Sequence, residues 1–242
     1  MSRRRFFLSS KEIKGDKALL KGEEHHHLAR VMRLKAGDQV FLFTEKEEEF
    51  QAQIVEIRRK KSLLIIKKKL KAKGFEPSLK IILLQGIARG SRMDLIVQKA
   101  NELGAEAIIP LMTGRSLHPR NPAEKQRRWQ KISLQAAKQC GRLRGAKIFL
   151  PTALKELDLN QLPKLKLILS EQGGRGLKEV LKKPYDEIAL MVGAEGGWAE
   201  EEIQWAINNG FAHISLGNRI LRTETASLAV LSILQYQWGD MG

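Results

Sequence analysis

The chain has 242 residues, 43% of them apolar, enough for a packed core and too many for an intrinsically disordered chain. Its 43 Lys and Arg against 27 Asp and Glu leave a formal charge of +16, which points to a polyanionic partner; an anionic membrane surface is the rival, but no long basic amphipathic helix is present to serve it. A single cysteine excludes an internal disulfide and fits a reducing compartment, and the longest apolar runs, such as 188–191, are far too short to span a bilayer.

The basic excess is concentrated at the front, where residues 1–73 hold 20 basic and 10 acidic side chains. The opening Ser2-Arg3-Arg4-Arg5-Phe6-Phe7-Leu8 has the twin arginines of an export signal, but Ser9-Ser10-Lys11-Glu12 ends the apolar run at once. A cytoplasmic location with no membrane partner is the expectation. Residues 22–34 read as helical, and Ala36-Gly37-Asp38 turns the chain into a strand. Residues 38–43 (DQVFLF) and 50–57 (FQAQIVEI) alternate with period two, joined by the charged stretch 44–49, and 62–67 (SLLIIK) forms a third strand. Short strands with polar turns predict a small, partly closed barrel over residues 1–73. The lysine-rich run 67–73 and Gly74-Phe75-Glu76-Pro77-Ser78 read as solvated linker, with 74–78 dividing the domains.

From residue 79 to 242 the rhythm becomes strand–helix–strand. Strands are expected at 80–84, 107–111, 165–169, 187–192 and 212–216, and helices at 93–103, 123–140, 176–182, 200–208 and about 225–238. Apolar strands alternating with amphipathic helices predict an α/β domain with a parallel sheet covered on both faces. Ligands of such sheets lie beyond the carboxyl ends of the strands. Three strand ends here are glycine-bearing: Ser170-Glu171-Gln172-Gly173-Gly174-Arg175, Gly193-Ala194-Glu195-Gly196-Gly197-Trp198, and Gly217-Asn218-Arg219-Ile220-Leu221-Arg222-Thr223-Glu224-Thr225-Ala226. One glycine pair merely ends a strand; three such loops offer exposed backbone to a ligand. No G-x-G-x-x-G follows the first strand, no phosphate-binding G-x-x-x-x-G-K-[ST] occurs, and Glu195 opposes a phosphate. A neutral or cationic nucleoside-like ligand is the expectation.

Val192-Gly193-Ala194-Glu195-Gly196-Gly197, followed by Leu216-Gly217-Asn218-Arg219-Ile220-Leu221-Arg222-Thr223-Glu224-Thr225-Ala226, resembles the signature of the ribosomal RNA small-subunit methyltransferase E family, of the SPOUT class. Further similarity lies in Gln98–Gly104, Thr113-Gly114-Arg115-Ser116, Trp129 with Ala136–Arg142, Arg4-Arg5-Phe6 and His26–Arg33. Ala194 departs from the proline usual there, without removing a functional group.

The resemblance implies a SPOUT-type parallel sheet with a C-terminal trefoil knot, preceded by a PUA-like β-barrel that helps hold RNA. It also implies a homodimer, S-adenosylmethionine as cofactor, and methylation of a uridine N3 in the decoding region of 16S rRNA, free or within the small ribosomal subunit. The knot could not have been read from the residues, since ordinary topology rules count against it. Cofactor contacts are expected at Leu169, Ser170 and Glu171, at Val192, Gly193, Glu195, Gly196 and Gly197, and at Leu216, Gly217, Ile220, Leu221, Thr223 and Ala226. RNA contacts are expected at Arg3, Arg4, Arg5, His26, Arg30, Arg33 and Arg115. Uracil N3 is protonated at neutral pH, so transfer needs alignment and help in sustaining the anion. Arg222 suits that charge. Glu224 is a candidate base or orienter, and equally a helix-start carboxylate favoured by the dipole.

The remaining chemistry-bearing residues carry less. His25-His26-His27 has the wrong spacing for a metal site, and no metal is expected. Cys140 reads as packing on an amphipathic helix, and Trp205, Tyr236 and Trp238 as core or interface aromatics. Two other readings stand beside the main one: a non-catalytic RNA-binding protein, and a SPOUT enzyme acting on transfer RNA or on ribose 2′-O.

Overall fold

The computed structural model describes residues 4–71 and 75–242. The chain divides into two compact units, residues 1–76 with 137–144 and residues 77–136 with 145–242.

The first unit holds β1 (Arg5–Phe7), β2 (Ile13–Lys14), β3 (Lys17–Lys21), α1 (Gly22–His26), β4 (Gln39–Phe43), β5 (Glu49–Ile57) and β6 (Lys61–Leu70). Their sheet runs β1-β4-β5-β6-β3-β2, antiparallel except for the parallel β1–β4 pair. Alternation along β4 and β5 turns Val40, Leu42, Ala52 and Ile54 inward onto Phe6, Leu20, Leu28 and Leu64. Among the described residues the sheet is open, a half-barrel with β1 and β2, of three and two residues, at its edges. The helix expected over 22–34 is α1 followed by a π-helical turn, His27–Val31, with Leu28 buried. The lysine run is not all linker. β6 continues through Lys67–Leu70 because its backbone still pairs with β5, while Lys69 meets Glu48 and the lysine side chains stay in solvent.

The second unit holds β7 (Lys80–Gly86), α2 (Ser91–Glu102), β8 (Ala105–Met112), α3 (Pro122–Cys140, its last residues counted with the first unit), β9 (Lys147–Ile148), β10 (Thr152–Ala153), β11 (Leu165–Leu169), β12 (Arg175–Gly176), α4 (Leu177–Val180), β13 (Glu187–Val192), α5 (Glu200–Asn208), β14 (Phe211–Ser215) and α6 (Thr223–Trp238). All strands are parallel, in the order β10-β8-β7-β13-β11-β14-β12, with β9 also on β8. Both faces are covered, as the continuous apolar runs require. Ile81, Leu83, Leu167, Ile188 and Leu190 pack with α2 and α6 residues Ile96, Val97, Val230, Leu231 and Leu234. Leu84, Ile168, Ala189 and Met191 pack with Ile203 and Ala206 of α5. The five main strands lie where sequence places them; β9, β10 and β12 are two-residue pairings with no periodicity to read. Among the described residues no helix is long and apolar enough to cross a membrane.

Candidate active site

Beyond the carboxyl ends of β11, β13 and β14 lies a cavity of about 410 Å³, within the usual range for small-ligand sites. The three glycine-bearing segments line it, together with the start of α6. Of the fourteen expected cofactor residues, thirteen face it: Leu169, Ser170, Glu171, Val192, Gly193, Glu195, Gly197, Leu216, Gly217, Ile220, Leu221, Thr223 and Ala226. Gly196 does not line it. A Cβ there would meet the Arg115 Cβ at 2.9 Å, so Gly196 is small for Arg115, which also donates to the Gly196 carbonyl at 3.2 Å.

Local geometry explains why these segments meet. β13 ends at Val192, and Gly197, with φ +65°, reverses the chain in the left-handed region that disfavours other residues. Gly86, at the end of the neighbouring β7, lets this loop lie against the sheet: a Cβ there would sit 2.5 Å from the Ala194 nitrogen. Trp198 Nε1 donates to the Leu169 carbonyl at 2.9 Å, fastening the end of β11 to the same loop. The Thr223 hydroxyl donates to the Gly193 carbonyl at 2.5 Å and brings the start of α6 to it.

The site is electrostatically mixed. Glu195 accepts from the Arg89 amide and from Arg92 Nη1, both at 2.9 Å. Burial raises its carboxyl, but the bonds from the Arg89 amide, its own backbone and Arg92 outweigh that and hold it below the ordinary 4.5. Arg222 caps α6 in an extended conformation, exposed, and makes no hydrogen bond or ion pair with another described side chain. Glu224 lies in the first turn of α6 and also lines the cavity, its Oε2 buried without a partner. Arg92 and Arg219 line the cavity as well, and sequence reasoning missed both. Arg92 was out of reach, since it belongs to a helix start unrelated to the glycine loops; Arg219 lay inside the singled-out motif.

The expected RNA residues divide. Arg4, His26, Arg30 and Arg33 are exposed on the first unit and Arg115 on the second. Arg3 lies outside the described residues. Arg5 is corrected: it is 7% exposed, paired with Glu49 at 3.0 Å, and donates to the Ala137 and Arg142 carbonyls, so a phosphate has no access to it. His25 is likewise buried, its Nδ1 2.8 Å from the Ser62 hydroxyl. Among the described residues no three His, Cys, Asp or Glu are gathered to hold a metal.

Residues 75–235 match the model of an RNA methyltransferase domain, and residues 20–68 that of an RNA methyltransferase PUA domain. Ribosomal RNA small subunit methyltransferase E of Buchnera aphidicola (from Acyrthosiphon pisum) is 34% identical over 91% of this chain and 88% of its own. Its Bacillus subtilis counterpart is 30% identical over 89% and 88%. The Neisseria gonorrhoeae enzyme of that name, crystallised with S-adenosyl methionine, superposes with a TM-score of 0.90 at 33% identity, over 99% of this chain and 100% of its own. A Legionella pneumophila chain solved with bound SAM gives 0.92 at 34%, over 99% and 100%. With an RNA methyltransferase model matched across two thirds of its length and relatives aligned nearly end to end, this chain belongs to the ribosomal RNA small subunit methyltransferase E family.

Proposed function

We propose that the protein transfers a methyl group from S-adenosylmethionine to N3 of a uridine in the decoding region of 16S ribosomal RNA. One observation carries the reading: a single cavity joins three glycine-bearing strand ends to Arg222 and Glu224. Its residues fit the cofactor. Backbone at Leu169, Gly193, Leu216 and Leu221 suits an adenosine edge, while Glu171 and Glu224 suit a cationic ligand, and the partnerless Glu224 Oε2 has a hydrogen-bond vacancy to fill. When bound, the cofactor supplies an activated methyl group on a sulfonium sulfur. Arg222, exposed at the cavity and uncommitted, holds the negative charge that develops on a uracil oxygen as N3 loses its proton. Glu224 accepts that proton or orients Arg222.

In this reading residues 1–73 are the PUA-like RNA-binding domain, 74–78 the linker and 79–242 the methyltransferase domain, its C-terminal segment threaded as a trefoil knot. The burial of Thr223 and Ser227 behind the loop at Gly193 is consistent with such threading. Arg4, His26, Arg30, Arg33 and Arg115 contact RNA phosphates, and the enzyme works in the cytoplasm as a homodimer. Ile233 and Tyr236, large hydrophobic side chains exposed on α6, supply part of the dimer face. The deciding experiment is mass spectrometry of 16S rRNA from a strain lacking the gene. Loss of one N3-methyluridine, restored by the purified enzyme with S-adenosylmethionine, is expected; an unchanged modification profile would reject the assignment.

A further inference from the structure

We infer that Gln85 is a positioning residue for methyl transfer, a buried amide that sets the start of α6, and with it Arg222, against the loop at Gly193. The inference rests on the reading of the cavity as a methyl-transfer site and adds a residue outside its lining.

Gln85 is the last polar side chain one would place in its strand. β7 reads Lys80-Ile81-Ile82-Leu83-Leu84-Gln85-Gly86, and Gln85 shares by alternation the face of Ile81 and Leu83, which packs under α6. The residue is 0% exposed. An unpaired amide there would be strongly unfavourable, so its bonds explain its presence. They are complete and directional. Nε2 lies 3.0 Å from the Gly86 carbonyl and 3.0 Å from the Thr223 hydroxyl oxygen, with the Gly193 and Val192 carbonyls further off at 3.3 and 3.5 Å. Oε1 lies 2.5 Å from the Ser227 hydroxyl. The amide cannot be reversed, because its oxygen would then face three carbonyls that only accept.

The bonds therefore run in one sense. Gln85 donates to Thr223, Thr223 spends its single proton on the Gly193 carbonyl, and Ser227, one turn along α6, donates to Gln85. Two successive turns of α6 are thus referenced to one side chain in the centre of the sheet, and that side chain to the cofactor-facing loop. Arg222 directly precedes Thr223; its carbonyl accepts from the Ala226 amide at 2.8 Å, while its side chain has no described partner. Its place is set through this network, and a shift of about 1 Å in a reacting group is enough to cost roughly 10²-fold in rate.

The test compares Gln85→Leu, Thr223→Val and Thr223→Ser with wild type. Single-turnover transfer at saturating RNA and cofactor is read beside cofactor affinity by calorimetry and amide exchange at residues 223–227. Gln85→Leu is expected to slow transfer about 10²-fold with cofactor affinity changed less than tenfold, and to speed amide exchange in the first turn of α6. Thr223→Val should reproduce the slowing, and Thr223→Ser, which keeps the hydroxyl, should be slowed distinctly less. Should Gln85→Leu fail to fold, the Thr223 pair carries the same decision. Full single-turnover rates in folded Gln85→Leu or Thr223→Val overturn the inference. Absence of transfer by the wild-type enzyme would instead overturn the functional reading beneath it.

Discussion

Two of the segments lining the cavity differ in how they are held: 193–198 is fastened at four points and 217–221, among the described residues, at none. In the first, Gly193 receives Thr223, Glu195 receives the Arg89 amide and Arg92, Gly196 receives Arg115, and Trp198 reaches Leu169. In the second, no residue makes a hydrogen bond to another described residue, and Ile220 is 80% exposed while still lining the cavity. The fastened loop is a preorganised floor whose groups need no rearrangement when a ligand arrives. The unfastened segment leads straight into Arg222, which has no described side-chain partner either. One cavity thus combines a wall held by side-chain bonds with one that has none among the described residues.

The largest expected effect lies at the junction of the two. Arg222→Lys keeps the charge but loses the planar fork, so single-turnover methyl transfer at saturating cofactor and RNA should fall roughly 10²–10³-fold. Affinities should change far less, because the interaction strengthens only as charge develops. With uridine N3 as the proposed acceptor, the rate should recover in part as pH rises and the base deprotonates unaided. A binding defect with a wild-type rate at saturation would make Arg222 an anchor instead.

A matched pair of substitutions breaks or sharpens the comparison itself. Gly197 and Gly217 both hold positive φ, +65° and +70°. Gly197→Ala should cost about 1–2 kcal/mol in urea unfolding, because the fastened loop cannot relax away from the left-handed conformation. Gly217→Ala should cost distinctly less, since no hydrogen bond to another described residue holds its segment in place. Equal losses would mean the two loops are equally rigid.

A smaller, pH-dependent effect is expected at Glu195. Its carboxyl is held below 4.5 in the fold, so its contribution to stability is present above that value and is lost as pH falls through the lowered one. Glu195→Gln should remove this component from the acid limb of a stability–pH curve, leaving a flatter profile below pH 4.5. An unchanged acid limb would detach the loop from Arg89 and Arg92. The smallest effect should come from Ile220→Ser, within about 0.5 kcal/mol in stability, because little of that side chain is buried. A larger loss would show that the segment is packed after all.

Sequence reading succeeded where backbone and periodicity carry the information. The strands before Leu169, Val192 and Leu216 and the glycines after them are local signals, and their convergence follows from the rule that ligands sit at the carboxyl ends of parallel strands. It failed where a side chain's partner is remote. Arg5 looks like its neighbour Arg4, yet Glu49 and two carbonyls more than 130 positions away enclose it. The chain at Lys67–Leu70 looked self-repelling, yet its backbone pairing with β5 outweighs charges that remain in water. Gln85 had a readable signal that was passed over: one amide at the end of an otherwise apolar strand is costly unless something specific meets it.

The parallel sheet has a consequence for how the molecule comes into being. Its central pair, β7 and β13, joins Lys80 to Glu187, 107 positions apart, and the Gln85–Ser227 bond spans 142. Contacts of such separation form late, because the loop entropy must be overcome before they can stabilise anything. While the chain is being synthesised, β7 emerges long before its partner strand or the helix that satisfies Gln85. Until α6 docks, the nascent domain exposes an apolar strand edge ending in an unmet amide, the kind of surface that invites aggregation. The start of α6 also lines the cavity, so the site is complete only once these most distant contacts have formed.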